Sequence, residues 1–188
     1  MESAGFKEWA IVCQALGRGE QSVILRKGGI AEGREGFSFR HKEFFLFPTY
    51  FHEQVEKVRK IEIEFPAQAT DKIEINLLAK IELSCVIKSW KIAQELEPFH
   101  ILRPEVVRER FDYDHAPGLH IAFVRVFRIE PSWIFANAKS YGGCRSWVKL
   151  PKPPGMRFEP VLSDGEHERR RKALIELMRG EESAAAQA

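Results

Sequence analysis

Ile73-Glu74-Ile75-Asn76-Leu77-Leu78-Ala79-Lys80-Ile81-Glu82-Leu83-Ser84-Cys85-Val86-Ile87 places an apolar side chain at every second position, from Ile73 through Ile75, Leu77, Ala79, Ile81, Leu83 and Cys85 to Ile87. A period of two is what an extended strand needs to bury one face, because successive side chains leave a pleated backbone on opposite sides. The run is far longer than the usual strand of about five or six residues. It therefore predicts either one long bent strand of a barrel-like sheet or two strands joined through a bulge, and both mean a curved sheet.

Upstream, Trp9, Ile11, Cys13 and Ala15 alternate while Ala10, Val12 and Leu16 make the other face apolar too, which predicts a strand buried on both sides from Trp9 to Leu16. Gly17-Arg18-Gly19-Glu20 then reads as a hairpin turn and Ser22 to Arg26 as the returning strand. A glycine-rich loop follows, from Lys27-Gly28-Gly29-Ile30 to Gly36, ahead of the aromatic run Phe44 to Phe47 stopped by Pro48. With Thr49 as cap, Phe51, Val55 and Val58 at i, i+4 and i+7 predict a helix to about Lys60 that packs on the sheet, and Ile61, Ile63 and Phe65 alternate after it.

Downstream, Trp90, Ala93 and Leu96 return to helical spacing, and Arg103-Pro104-Glu105 opens a second short helix. Leu119 to Ile129 is apolar on both faces and predicts a central strand ending at Pro131, with a last short strand over Ser146 to Leu150. Pro151 to Pro154 reads as a linker or edge, and Ser163-Asp164-Gly165-Glu166 as a capping box ahead of a charged helix. Strands outnumber helices without a regular strand-helix-strand rhythm, so the fold class is α+β: a curved, mainly antiparallel sheet, a half-closed barrel, flanked by short helices. The expected organisation is one domain over 1–160, a C-terminal helix over 161–180 packed on it, and a disordered tail over 181–188.

At 188 residues the chain suits one domain, and its 44% hydrophobic and 30% charged residues exclude general disorder. A formal net charge of +2 is too small for a histone-like argument, so nucleic-acid binding would need a local patch. Cys13, Cys85 and Cys144 form no CxxC pair, which fits a reducing compartment and indicates neither a zinc ribbon nor a disulfide scaffold. Acids at Glu2 and Glu8 stand where a secretory signal needs a basic start, and the longest apolar runs are strand-sized; a cytoplasmic protein with no membrane span is expected.

Gln21 to Ile30 (QSVILRKGGI), Glu43 to His52 (EFFLFPTYFH) and Tyr141 to Leu150 (YGGCRSWVKL) resemble the recurring blocks of a bacterial family catalogued as a domain of unknown function, DUF1802. The resemblance spans roughly Trp9 to Leu150; the family brings no established activity and so lends no site. At fold level the alternation of strands and short helices is also similar to PUA-like and ASCH-like barrels, small modules implied to bind RNA or modified bases.

Pro131 to Phe158 contains no Asp or Glu, yet holds Lys139, Arg145, Lys149, Lys152 and Arg157 interleaved with Trp133, Phe135, Tyr141, Trp147 and Phe158. Lysine and arginine neutralise phosphates, and exposed rings stack on unpaired bases, so this composition suits single-stranded nucleic acid. Arg26, Lys27, Arg34, Arg40 and Lys42 form a second basic group around the glycine loop. The expected function is a non-catalytic binding module for RNA, single-stranded DNA or a nucleotide base, with Arg26, Lys27, Arg40, Arg145, Trp147 and Lys149 in contact. That requires the first hairpin to lie beside the last strand. The bland alternative makes the aromatics core and the cations a solvated rim.

Two other classes stay open. His41, Glu43 and His52 could converge as a polar cluster for metal or acid-base catalysis, although Glu56 at the second histidine position breaks the HExxH pattern. Ala173, Leu174, Leu177 and Met178 on the C-terminal helix could dock a protein partner, or pack on the sheet. Cys144, beside Arg145 in a glycine turn, is a nucleophile only if a base joins it, and otherwise reads as a small buried hydrophobe next to a tight turn. No GxGxxG, GxxxxGK or GxSxG is present, no metal-ligand spacing is complete, and no motif calls for a cofactor.

Overall fold

The computed structural model describes residues 3–27, 37–50, 52–59, 71–113 and 117–185. In chain order the elements are β1 (Ala4–Trp9), α1 (Ala10–Arg18), β2 (Val23–Arg26), β3 (Glu43–Thr49), β4 (Lys72–Ile87), α2 (Trp90–Glu95), α3 (Pro104–Phe111), β5 (Leu119–Ala136), β6 (Trp147–Lys149), β7 (Arg157–Pro160) and α4 (Asp164–Ala185). The strands form one strongly curled sheet in the order β2-β5-β4-β3-β1-β6, with β7 added to β5. Among the described strands only β1 and β3 run parallel; the other pairings are antiparallel. The architecture is the α+β half-barrel that the alternation predicts.

β4 is one strand of 16 residues whose pairing with β5 slips between Ile75 and Leu77 and again between Ile81 and Leu83. Because side chains alternate, an extra residue inverts the face of everything beyond it. Ile73 and Ile75 consequently join one apolar cluster with Phe45, Phe47, Ile129 and Trp133. Leu77 and Ala79 join the other, larger one with Phe6, Leu16, Phe44 and Phe123. An alternation that is unbroken on paper thus serves both faces of the sheet.

The N-terminal segment departs from expectation. Ala10–Arg18 is a helix, and the strand lies just before it, over Ala4–Trp9. Ile11, Val12, Ala15 and Leu16 fall at i, i+1, i+4 and i+5, a helical face that an apolar run of this length equally allows. Gly19 closes the helix in the left-handed conformation at φ 74°, its N–H reaching the Ala15 and Leu16 carbonyls. The glycines therefore cap a helix and do not turn a hairpin. β2 pairs with β5, not with the segment before it.

Beyond β3 the expected three-turn helix is a 3-10 helix over His52–Lys57. Thr49 does not cap it, since its Oγ1 donates to the Glu8 carbonyl at 3.0 Å. Val58 is buried and bridges Leu102, whereas Val55 is 52% exposed and packs on nothing as a core residue would. Phe51, the alternation at Ile61, Ile63 and Phe65, and the glycine loop from Gly28 to Gly36 lie outside the described residues. β3 continues through Pro48, and β5 through Pro131 to Ala136. β7, in the stretch after the expected proline linker, is a strand that composition did not announce.

α2 starts on Ser89, whose side chain accepts from the Ile92 N–H. α4 starts as its capping box predicts, with the Glu166 N–H donating to Ser163 Oγ at 3.2 Å. The helix runs to Ala185, past the expected end near Gly180, and residues 186–188 lie outside the described set. Leu174 sits in the larger core at 1% exposure, with Leu177 and Met178 partly buried beside it. His167 is buried with its Nε2 3.0 Å from a carboxylate oxygen of Glu82, in the second slip of β4. Arg125 pairs with Asp164 at 2.5 Å, and Arg170 donates to Ser22 Oγ. Shortening Leu174 to alanine should therefore cost about 2–5 kcal/mol in denaturant unfolding. Val55→Ala should stay within about 0.5 kcal/mol of the parent.

His100 precedes α3 and is buried; its Nδ1 accepts from the Leu102 N–H at 3.1 Å. Burial, and then the Arg59 and Arg110 cations, push its pKa down from 6.5 to about 3. The unfolded chain binds a proton at His100 below 6.5 and the folded chain does not until about 3. Stability should fall as pH drops through that window. In His100→Asn, whose amide oxygen can accept the same N–H, the slope should shrink by up to about 1.4 kcal/mol per pH unit, read from unfolding curves between pH 6.5 and 4.

Candidate functional site

The sheet begins at β2 and ends at β6, and its curl brings these two edges together. Arg26, the last residue of β2, donates from Nε and Nη2 to Ser146 Oγ at 3.3 and 3.0 Å, one residue before β6. Its guanidinium carbon stands 5.3 Å from the centroid of the Phe6 ring. Lys7, on β1 beside β6, fixes the same loop: its N–H donates to the Ser146 carbonyl and its Nζ to the Gly143 carbonyl at 2.9 Å. Gly5, two residues earlier, allows this approach, because a Cβ there would stand 2.9 Å from Val148.

Three cations, Lys7, Arg26 and Arg145, therefore share one seam. Burial holds the Lys7 ammonium below the usual lysine range, and the Arg145 and Arg26 charges push it the same way, against Cys144. Among the described residues none of the three cations lies within ion-pair distance of a carboxylate. Arg110 underlies the seam from α3, donating to the Leu25 carbonyl at 2.6 Å with its guanidinium 4.6 Å from the Trp9 ring. Burial lowers its pKa to about 10, which Glu8 counters and Arg26 reinforces. Repulsion among confined like charges is what an arriving anion relieves.

Trp147 forms the aromatic wall. Its ring lies 4.9 Å from Phe6, 5.2 Å from Phe44 and 4.8 Å from His41, and its Nε1 donates to the Ser38 carbonyl at 3.3 Å. The indole is half-buried, so it is anchored in the core yet reaches the surface beside an exposed His41. Arg40 and Lys149 are exposed on the flanks, and Lys27 holds its Nζ 3.0 Å from the Tyr113 ring centroid. Of the residues singled out in the sequence, Arg26 and Arg145 thus meet at the seam and Trp147 and Lys149 follow on β6. Arg34 lies outside the described residues.

Lys7 and Ser146 escaped sequence reading. A single lysine among apolar neighbours in a short strand carries no motif, and only the sheet closure shows what it faces. His41 and Glu43 of the expected polar cluster turn to different partners. Glu43 pairs with Lys80 across the β3–β4 ladder at 2.9 Å, and His41 leans on Trp147. His52 begins the 3-10 helix beyond the far end of β3, about 20 Å along the strand from Glu43 at 3.4 Å per residue. Among the described residues no group of three or more metal-binding side chains occurs. All three cysteines are free; burial pushes the Cys13 thiol well up, whereas Cys144 is exposed near Lys7 and is not the buried hydrophobe its glycine turn suggested. No helix among the described residues is long and apolar enough to cross a membrane.

A curled α+β half-barrel with a basic, aromatic-walled seam between its edge strands is the class of structure these observations define. The chain belongs to the family described as Domain of unknown function (DUF1802), whose model matches residues 5–173. No curated protein matches it. Solved structures similar to it include the ASCH protein of Zymomonas mobilis, at 12% identity, 80% of this chain, 89% of that one and a TM-score of 0.47. A serine-to-alanine variant of the same protein is similar at 11% identity over 80% and 89% of the two chains, with a TM-score of 0.49.

If Ser146 Oγ is what holds Arg26 across the seam, Ser146→Ala should cost about 1–3 kcal/mol in denaturant unfolding. Arg26→Lys, with one ammonium in place of a fork, should cost a similar amount.

Proposed function

We propose that the protein is a non-catalytic binding module for single-stranded nucleic acid, held at the seam between β2 and β6. The single observation that carries this reading is the convergence of Lys7, Arg26 and Arg145 around Ser146 with no carboxylate in ion-pair reach among the described residues. Such a cluster suits a phosphate, and the surface edge of Trp147 with the neighbouring His41 offers a ring face for an unpaired base. Arg40 and Lys149 extend the positive surface on either side, along the course a strand of phosphates would take. RNA and single-stranded DNA share these contacts.

Labelled single-stranded oligonucleotides, RNA and DNA, test this over a series of salt concentrations. Three phosphate contacts predict a log-log salt slope of about −2, at about 0.7 per phosphate for single strands. Arg145→Ala, at an exposed position, should reduce that slope by about 0.7 without lowering the melting temperature. Trp147→Ala should weaken binding by about 1–3 kcal/mol. Affinity indifferent to salt, or unchanged in Arg145→Ala, would refute the reading.

A further inference from the structure

A second concavity of about 510 Å³ lies on the other half of the molecule, with α1 on one side and β3, β4 and β5 on the other. It has a structural origin. Opposite the step from Ile75 to Leu77 on β4, β5 steps from Trp133 to Arg128, so Asn76 and residues 129–132 drop out of the β4–β5 ladder, while Ile129 and Glu130 keep their pairing with β7. Asn76, Ile129, Glu130 and Ser132 line the cleft. A ladder break that opens beneath a helix end is how sheets make room for a ligand, and the volume falls within the range of about 300–1,000 Å³ typical of small-molecule sites.

The wall chemistry narrows the ligand. Arg18 and Arg128 stand with Glu74 and Glu130, two charges of each sign, around an apolar floor of Leu46, Pro48 and Leu77. Arg128 gives one Nη2 bond to the Gly17 carbonyl at 2.7 Å, and Glu130 lies 3.5 Å from Arg157 at the outer rim. Tyr50 enters from the end of β3; burial, then Cys13 and Glu74, push its phenol up, so it stays a neutral donor near the Glu74 carboxylate. With balanced charge the wall does not favour a polyanion. A neutral heterocycle returns only weak bonds to these charged groups, whereas a molecule with its own ammonium and carboxylate offers each sign a charge-assisted partner, using guanidinium donors beyond the one Arg128 gives to Gly17.

We propose that this cleft binds a small zwitterion, an amino acid or dipeptide, with the ammonium on Glu74, the carboxylate on the Arg18–Arg128 side and an apolar side chain on Leu46, Pro48 and Leu77. The cleft shares no lining residue with the seam, which is built from Lys7, Arg26, Arg145, Ser146 and Trp147. Failure of one reading leaves the other standing.

Calorimetric titration of the full chain with four probes decides it: the dipeptide alanyl-leucine, its N-acetylated form, its C-terminal amide, and adenosine. The free dipeptide should bind saturably, and each capped form at least about tenfold more weakly, because each lacks one charge-assisted contact. Glu74→Gln, at an exposed position, should weaken the dipeptide by about tenfold to a hundredfold and leave the N-acetylated form unchanged. Backbone amide shifts on the dipeptide should fall at residues 10–18, 46–50, 74–77 and 128–132. Absence of saturable dipeptide binding up to millimolar concentration, equal binding of the capped forms, or tighter binding of adenosine would each overturn the proposal.

Discussion

The bend of the β4–β5 ribbon sets the rest of the structure. Two strands of 16 and 18 residues pair along nearly their whole length, and two slips in register divide the ribbon into three segments. A flat ribbon of that length would leave one apolar face in water. The slip at Asn76 sends Ile73 and Ile75 to one side and Leu77 and Ala79 to the other, so each end of β4 finds a core. The slip at Glu82 aims a carboxylate at His167 and Arg171 on α4. Added bend and twist at such points are what curl a sheet far enough for its edges to approach.

Edge approach has an electrostatic consequence. β2 and β6 do not pair through their backbones; Arg26 closes the gap through a side chain. The seam therefore gathers cations from β1, β2 and the loop before β6, where solvent is partly excluded and repulsion is poorly screened. That arrangement costs stability when empty, and the cost falls when an anion arrives. Glu8, buried next to Lys7 on β1, offsets part of this by acting on Arg110.

How much of this was legible depended on the length of the signal. The alternation from Ile73 to Ile87 fixed a curved sheet, and Ser163 to Glu166 fixed the start of α4, because each pattern has one physical solution. Ala10 to Leu16 has two: an apolar run with both faces buried fits a strand or a helix, and only the Gly19 cap distinguishes them. Val55 satisfied a helical stripe that Thr49 never started, its hydroxyl being taken by Glu8. In the site, Arg26, Arg145 and Trp147 stood out by composition. Lys7 and Ser146 did not, since their role exists only where two sequence-distant edges meet. The cleft beneath α1 was unreadable for the same reason, its lining coming from four separate elements.

The most direct test of a single nucleic-acid surface across the sheet's two edges is a backbone amide titration with one single-stranded oligonucleotide. The account predicts that resonances of Lys7, Arg26, Arg145 and Trp147 shift together and fit one dissociation constant. Shifts confined to one edge strand, or to residues around the α1 cleft, would contradict it.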